Sequence, residues 1–155
     1  MKVRDLMSEA LITLNAASPL ISAEEVMGLS RVRHLPCVEG GQFVGLITHR
    51  DLMRAYLPVG SHVERAIFAT KSKVRDFMHT DVKTVGPDTE LTEAAHILRT
   101  HRYGCLPVVD DAGELIGIVT DADFLLLAER VVAMLEGEDP ERLAQLKAEV
   151  DAMKE

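Results

Sequence analysis

Aromatic side chains are scarce in this chain of 155 residues: it has no tryptophan, and Phe, Tyr and Trp together make up 4% of the residues. Proteins that bind single-stranded nucleic acid commonly stack bases on aromatic rings. Positive charge is also in the minority, with 17 Lys and Arg against 25 Asp and Glu, so the net charge is −8. The composition therefore argues against a partner that is a long nucleic acid or an anionic membrane, and it leaves room only for a local basic pocket.

Long apolar runs and paired cysteines are missing as well. No run reaches the ~18–20 apolar residues of a membrane span, and the first five residues lack the apolar centre of a secretory signal. The two cysteines, Cys37 and Cys105, lie among apolar residues, so we expect small core side chains. The six histidines show no metal-ligand spacing with acids or cysteines. We expect a cytoplasmic protein without a metal site.

The sequence also lacks the common catalytic signatures. It has no Gly-x-Ser-x-Gly, no P-loop and no Gly-x-Gly-x-x-Gly. We therefore expect no enzyme activity, no catalytic residues and no catalytic cofactor.

An internal repeat is the strongest positive feature of the sequence. Residues 3–7 (VRDLM) return as residues 74–78 (VRDFM), 71 positions later. After one inserted residue, 45–51 (GLITHRD) align with 117–123 (GIVTDAD). The chain is thus a tandem duplication, which we divide into a first repeat at 1–58, a linker at 59–73, a second repeat at 74–130 and a C-terminal helical extension at 131–155.

Each repeat is predicted to contain the same elements in the order β-α-β-β-α. The helices follow from apolar residues at helical spacing, and the central hairpins follow from short apolar strands joined by glycine-containing turns. One unit of ~50 residues has too small a core to be stable alone, so the two units must bury their apolar faces together. The fold class is therefore α+β, with pseudo-two-fold symmetry and equivalent clefts between the repeats.

The duplicated motifs resemble a tandem pair of cystathionine-β-synthase (CBS) domains, also called a Bateman module. The resemblance covers residues 1 to about 130 and rests on the Val-Arg-Asp-x-Met openings, the Leu-Pro-x-Val strands and Gly-apolar-apolar-Thr-x-x-Asp, each present twice. It implies a regulatory sensor that binds AMP, ADP, ATP or S-adenosylmethionine between the repeats and signals occupancy to a partner by conformational change.

The Thr-x-x-Asp pattern has a physical interpretation that agrees with this. A threonine at a strand-to-helix junction offers a hydroxyl and an N–H to an anionic oxygen. An aspartate three residues later lies on the same face and can accept hydrogen bonds from both ribose hydroxyls. The preceding glycine is expected to let a ligand approach the backbone. The same pattern is also a helix capping box, so a purely structural role stays open.

By position, the resemblance implies two ligand sites. Site A would contain Ser18, Ala23, Val32, Arg33 and His34 from the first repeat, with Ile118, Thr120 and Asp123 from the second. Site B would contain Leu46, Thr48 and Asp51 from the first repeat, with Thr89, Ala94, Tyr103 and Gly104 from the second. The cationic pair Arg33-His34 favours a phosphate-bearing ligand in site A, and Tyr103 either stacks on a base in site B or belongs to the core.

The resemblance also implies assembly. CBS modules commonly pair into a disk of four repeats, so we expect a homodimer that acts on an effector protein in trans. Two alternatives remain: a structural dimerisation module with vestigial sites, and an S-adenosylmethionine binder. In the extension, Leu143, Leu146, Val150 and Met153 follow a–d spacing, so this helix packs either on its own module or across the dimer.

Overall fold

The computed structural model of the protein describes residues 1–152, and within them each repeat opens with a short 3-10 turn, Val3–Asp5 and Val74–Asp76. The α-helices are α1 (Leu20–Ser30), α2 (His49–Tyr56), α3 (His62–Lys71), α4 (Leu91–His101), α5 (Asp121–Glu138) and α6 (Pro140–Ala152). The strands are β1 (Leu14–Asn15), β2 (His34–Glu39), β3 (Gln42–Thr48), β4 (Cys105–Val109) and β5 (Leu115–Thr120).

The first repeat has a three-stranded sheet in the order β1-β2-β3. β1 runs parallel to β2, with Leu14 opposite Cys37, and β2 runs antiparallel to β3. Gly40 and Gly41 make the turn of this hairpin at φ values of 56° and 86°, which a side chain would disfavour. The second repeat pairs β4 with β5, and Val85 takes the position of the first strand beside Val108. The predicted α+β fold with two β-α-β-β-α repeats is therefore confirmed.

The core of the first repeat is apolar and contiguous. α1 contributes Leu20 and Ala23, β2 and β3 contribute Leu35 and Ile47, and α2 contributes Leu52, all with no exposed surface. Both cysteines are buried, as the sequence predicted. Burial raises the pKa of the Cys37 thiol to about 11, although a backbone hydrogen bond to it acts the other way. That thiol is therefore protonated and unreactive in the folded protein.

Backbone pairing exchanges the opening segments of the two repeats, which the sequence did not predict. His79 follows the second opening motif, and its N–H donates to the Leu46 carbonyl (2.8 Å), while the Leu46 N–H donates to the His79 carbonyl (2.9 Å). Ser8 makes the equivalent pair of bonds with Ile118 (2.9 and 3.1 Å). In the same way, Val74 belongs to the core cluster of the first repeat. Each opening segment thus completes the other repeat.

The repeated glycines serve this exchange. A Cβ at Gly45 would lie 2.6 Å from the His79 carbonyl oxygen and 2.9 Å from Met78 Sδ, and one at Gly117 would lie 2.6 Å from Met7 Sδ. The sequence interpretation gave this glycine to the approach of a ligand. That interpretation is wrong, because the protein's own exchanged segment fills the space.

The linker contains α3, which is tied to the first repeat by a polar cluster. The Tyr56 hydroxyl donates to Glu24 Oε2 (2.8 Å), and Arg65 Nη2 donates to Glu24 Oε1 (3.0 Å). The Arg65 guanidinium also lies 4.0 Å from the centre of the Tyr56 ring. Burial and the Glu24 carboxylate raise the pKa of Tyr56 to about 12. Three helices are joined at this point, so the linker is a packed part of the fold.

The chain separates into two compact units, Met1–Val119 and the residues from Thr120 onward. In the second unit, α5 runs to Glu138 and α6 packs on it. The Asp139 carboxylate accepts a hydrogen bond from the Arg142 N–H (2.9 Å), as expected of the residue before a helix. Met153, the last position of the a–d series, lies outside the described residues. Within residues 1–152, no helix is both long enough and apolar enough to cross a membrane.

The exchange generates a stability prediction at Gly45. Replacing Gly45 by alanine forces a Cβ against the His79 backbone, so Gly45→Ala should lower the free energy of unfolding by about 1–3 kcal/mol in urea denaturation. Gly28 lies in α1, where an added Cβ would meet no atom within 4 Å, which makes it a matched control. Gly28→Ala should be neutral or stabilising by about 0.5–1 kcal/mol. Equal stability of the two variants would contradict the role given to Gly45.

Candidate functional site

Thr48 and Asp51 form a complete capping box at the start of α2. The Thr48 N–H and hydroxyl both donate to Asp51 Oδ2, at 2.8 and 2.6 Å, and the Asp51 N–H donates to Thr48 Oγ1 at 3.2 Å. The capping interpretation of Thr-x-x-Asp is thus confirmed. The same box recurs at α5, where the Thr120 N–H and hydroxyl donate to Asp123 Oδ2 at 2.7 and 2.8 Å.

Asp51 is distinguished by burial and by the contact on its second oxygen. The residue is only 8% exposed, and among the residues that the structure describes it is the one that is both charged and buried. His79 Nε2 lies 2.9 Å from Asp51 Oδ1. His79 reaches this position because its backbone pairs with Leu46 on β3, the strand that leads into the helix carrying Asp51.

The electrostatics of the site favour an ionised Asp51. Burial raises the pKa of the Asp51 carboxyl, but the hydrogen bonds from Thr48 and the contact with His79 together outweigh burial, so its pKa lies below the ordinary value of 3.8. The side chain is thus a fixed, negatively charged acceptor at neutral pH.

His34 lies with the residues of site B, although the sequence interpretation gave it to site A. In the β2–β3 hairpin, His34 stands opposite Thr48. A Cβ at Gly104 would come within 2.5 Å of His34 Nε2, so the imidazole rests directly on Gly104. Any larger residue at position 104 would displace this ring. His34 thus stands opposite Thr48 in the hairpin and contacts Gly104, two residues that the sequence interpretation gave to site B.

The remaining residues of site B differ in exposure. Tyr103 is 41% exposed and stacks on His101 with ring centres 5.2 Å apart, so it is not a core residue. Leu46 is buried, and Ala94 is fully enclosed in α4. Thr89 precedes α4, and its hydroxyl accepts a hydrogen bond from the Gly86 N–H (3.2 Å). His79 thus pairs with Leu46 and contacts Asp51. His34 stands opposite Thr48 and contacts Gly104.

The site A residues of the first unit lie in two places. The Ser18 carbonyl accepts a hydrogen bond from the exchanged Val74 N–H (3.0 Å), Ala23 is enclosed in the core, and Ile118 pairs with Ser8. Val32 and Arg33 instead line a cavity of about 340 Å³ beside α1 and α2. The other lining residues are Glu24, Met27, Gly28, Arg31, His49, Leu52 and Met53. Thr120 and Asp123 belong to the second unit, where they form the capping box of α5.

Sequence reasoning missed His79, and the signal for it was weak. The second opening motif, Val-Arg-Asp-Phe-Met, is followed by histidine, where the first copy is followed by Ser8. That difference indicates a functional residue only when the opening segment is known to pair with β3 of the other repeat, because this pairing brings His79 to Asp51.

The exchanged segments and the two capping boxes define a paired-repeat module with a carboxylate at the start of each repeat's second helix. The family model of the CBS domain matches residues 3–58 and 74–130. The chain belongs to the CBS domain family, and its two repeats are a CBS domain pair.

Proteins similar to this chain carry the same module alone or within enzymes. A CBS domain-containing protein of Dictyostelium discoideum is 34% identical over 135 residues, which are 84% of this chain and 92% of that protein. Homoserine O-acetyltransferase of Methanococcoides burtonii is 33% identical over 122 residues, 78% of this chain, but these residues span only 23% of the enzyme. The similarity to the enzyme is thus confined to about a quarter of its length.

Three solved structures share the fold. A Vibrio cholerae protein named for acetoin utilization has a TM-score of 0.74 and 33% identity, covering 90% of this chain and 98% of its own. The CBS-pair protein CBSX2 of Arabidopsis thaliana, solved with AMP, has a TM-score of 0.72 and 28% identity, covering 84% and 97%. The CBS pair of protein MJ0100, solved with 5′-methylthioadenosine and S-adenosyl-L-methionine, has a TM-score of 0.69 and 26% identity, covering 83% and 96%.

The lowered pKa of Asp51 predicts how stability depends on pH. A carboxyl whose pKa is lower in the folded state stabilises the fold above its ordinary pKa, and this contribution is lost as the pH falls through the folded-state value. Asp51→Asn should therefore lower the free energy of unfolding by about 1–2 kcal/mol at neutral pH, and the difference from the unmodified protein should shrink below about pH 4. Urea denaturation across this pH range measures both quantities.

The control for this prediction is Asp81→Asn, which removes an exposed carboxylate from the chain segment after the second opening motif. It should change stability by less than about 0.5 kcal/mol at every pH. A loss in Asp51→Asn that stays constant down to the lowest pH would contradict the assignment of an ionised, hydrogen-bonded Asp51.

Proposed function

We propose that this CBS pair is a cytoplasmic regulatory sensor that binds an adenosine-containing ligand of the AMP, ADP or ATP class between its repeats and signals to an effector protein by conformational change. The observation that carries this proposal is the buried, ionised carboxylate of Asp51, held by Thr48 at the N-terminus of α2. A fixed carboxylate is an acceptor suited to ribose hydroxyls, and a helix N-terminus favours negative groups such as phosphate.

Each part of such a ligand has a candidate partner in site B. Asp51 accepts from the ribose, and the exposed ring of Tyr103 is available to stack on the base. We assign the phosphate to His34, which stands opposite Thr48 in the hairpin and contacts Gly104. In the second unit the equivalent carboxylate is Asp123, which Thr120 holds in the capping box of α5. The proposal contains no catalytic step, because the ligand would act by binding and shifting the conformation.

Two other functions remain candidates, each with an observation in its favour. S-adenosylmethionine is favoured by the MJ0100 pair, whose structure contains that molecule and is 26% identical. A structural dimerisation module with vestigial sites is favoured by the Thr48–Asp51 box, since capping alone accounts for that motif.

A homodimer is part of the proposal. The linker helix α3 leaves Val63 and Ile67 exposed, at 69% and 50%, and α2 leaves Met53 partly exposed. Apolar groups of this kind on adjacent helices fit the face through which two modules would form a disk of four repeats. The effector would then be recognised by the assembled dimer.

The ligand proposal predicts a selective gain in thermal stability. AMP, ADP, ATP or S-adenosylmethionine at about 1 mM should raise the Tm by several degrees if that ligand is bound, since a ligand at ~100 times its Kd adds about 2.7 kcal/mol. Calorimetric titration should show that Asp51→Ala and Asp123→Ala each remove one site. Asp111→Ala, at an exposed turn position, should leave the stoichiometry unchanged.

The outcomes separate the three candidate functions. A shift with the nucleotides alone supports the proposal, and a shift with S-adenosylmethionine alone supports the second candidate. The absence of any shift, together with a dimer in sedimentation, supports the structural module. Unchanged stoichiometry in both aspartate variants would refute the assignment of the sites.

A further inference from the structure

His79 takes up acceptor capacity that a ribose would need at Asp51. A carboxylate has about four lone-pair positions on its two oxygens. The Thr48 N–H and hydroxyl fill two positions on Oδ2, at 2.8 and 2.6 Å, and His79 fills a third on Oδ1, at 2.9 Å. One position is left, whereas the two hydroxyls of a ribose donate two hydrogen bonds.

We infer that His79 is a specificity-determining residue of the Asp51 site, because it competes with the ribose diol for Asp51 Oδ1. The inference rests on the proposed function and adds a selection rule to it. With His79 in place, the site accepts a sugar with a single free hydroxyl more readily than a vicinal diol, and the diol must displace the imidazole.

The fold makes this competition effective and reversible. The His79 backbone is fixed by two hydrogen bonds to Leu46, so the imidazole starts from a constant position beside Asp51. Its side chain is 60% exposed, so it can turn toward solvent without repacking the core. The displacement therefore costs mainly the hydrogen bond to the charged carboxylate, which is stronger than one between neutral groups.

The repeat provides an internal comparison. Ser8 stands 71 positions before His79 and makes the same pair of backbone hydrogen bonds, in its case with Ile118. The backbone of the two opening segments is thus alike, and the side chain after the Met differs. A serine side chain is shorter than an imidazole, so His79→Ser gives the second opening segment the side chain that the first already has.

The test is calorimetric titration of the full-length protein with AMP and with 2′-deoxyadenosine 5′-monophosphate. His79→Ser should tighten AMP binding at one site about tenfold, equivalent to about 1.4 kcal/mol. The deoxynucleotide has one free ring hydroxyl, so its affinity should change less than about twofold. His79→Gln keeps a donor and should resemble the unmodified protein, and adding Asp51→Asn to His79→Ser should abolish the gain.

The control is His62→Ser, which removes an exposed histidine from the start of α3 and should change neither affinity. If AMP binds the unmodified protein and His79→Ser with equal affinity, the inference is wrong and the proposed function stands. An equal gain for both nucleotides also overturns it, because the competition would then not concern the diol. If AMP binds none of the folded proteins, the inference fails, and if ADP and ATP do not bind either, the proposed function fails with it.

Discussion

Two backbone hydrogen bonds between Leu46 and His79 hold the opening segment of the second repeat on the first. Strand β3 would otherwise present unpaired backbone groups along this edge, which is unfavourable in a protein interior. The pairing brings Val74 into the core of the first repeat and leaves no room for a side chain at Gly45. It also delivers His79 to Asp51. The position of Val74 in the core, the close packing at Gly45 and the contact of His79 with Asp51 therefore all depend on this pair of hydrogen bonds.

The exchange is symmetric in the backbone and asymmetric in the side chains. Leu46 with His79 and Ile118 with Ser8 make equivalent bridges, and the methionines before them fill equivalent spaces beside glycine. The side chain that follows each methionine, however, is histidine in one repeat and serine in the other. The two copies thus share the residues that the packing requires and differ in the side chain after the methionine, which in the second copy contacts Asp51.

The sequence predicted what is decided locally. The hairpin turn at Gly40 and Gly41 and the box of Thr48 and Asp51 depend on residues a few positions apart, and the order of elements followed from them. The exchange could not be predicted this way, because both opening segments have the same apolar pattern and either could pair with either repeat's second hairpin strand. Its consequences, the contact of His79 with Asp51 and the close packing at Gly45, were therefore missed.

The assignment of His34 shows a second limit of sequence reasoning. Arg33 and His34 are adjacent and both carry basic groups, so they were placed in one site. Arg33 lies in the bend before β2, however, whereas His34 is the first residue of the strand. Arg33 and its neighbour Val32 line the cavity beside α1 and α2, while the His34 ring rests on Gly104. For the candidate site, the capping residues Thr48 and Asp51 could be predicted from their motif. The contacts of the neighbouring residues Arg33 and His34 could not.

The capping role of Asp51 is compatible with the proposed ligand binding, because capping uses only one of its two oxygens. Oδ2 serves the helix, and Oδ1 faces the partner that the exchange supplies. The box of Ser61 and Glu64 on α3 shows that capping alone does not indicate a site: its hydrogen bonds are similar, at 2.8 and 2.9 Å, but Glu64 is exposed. Burial is the difference, because it strengthens each interaction at Asp51 and makes an unfilled acceptor costly. The capping box keeps the carboxylate ionised and oriented in the folded protein. Binding of the proposed ligand would therefore not need to order this acceptor.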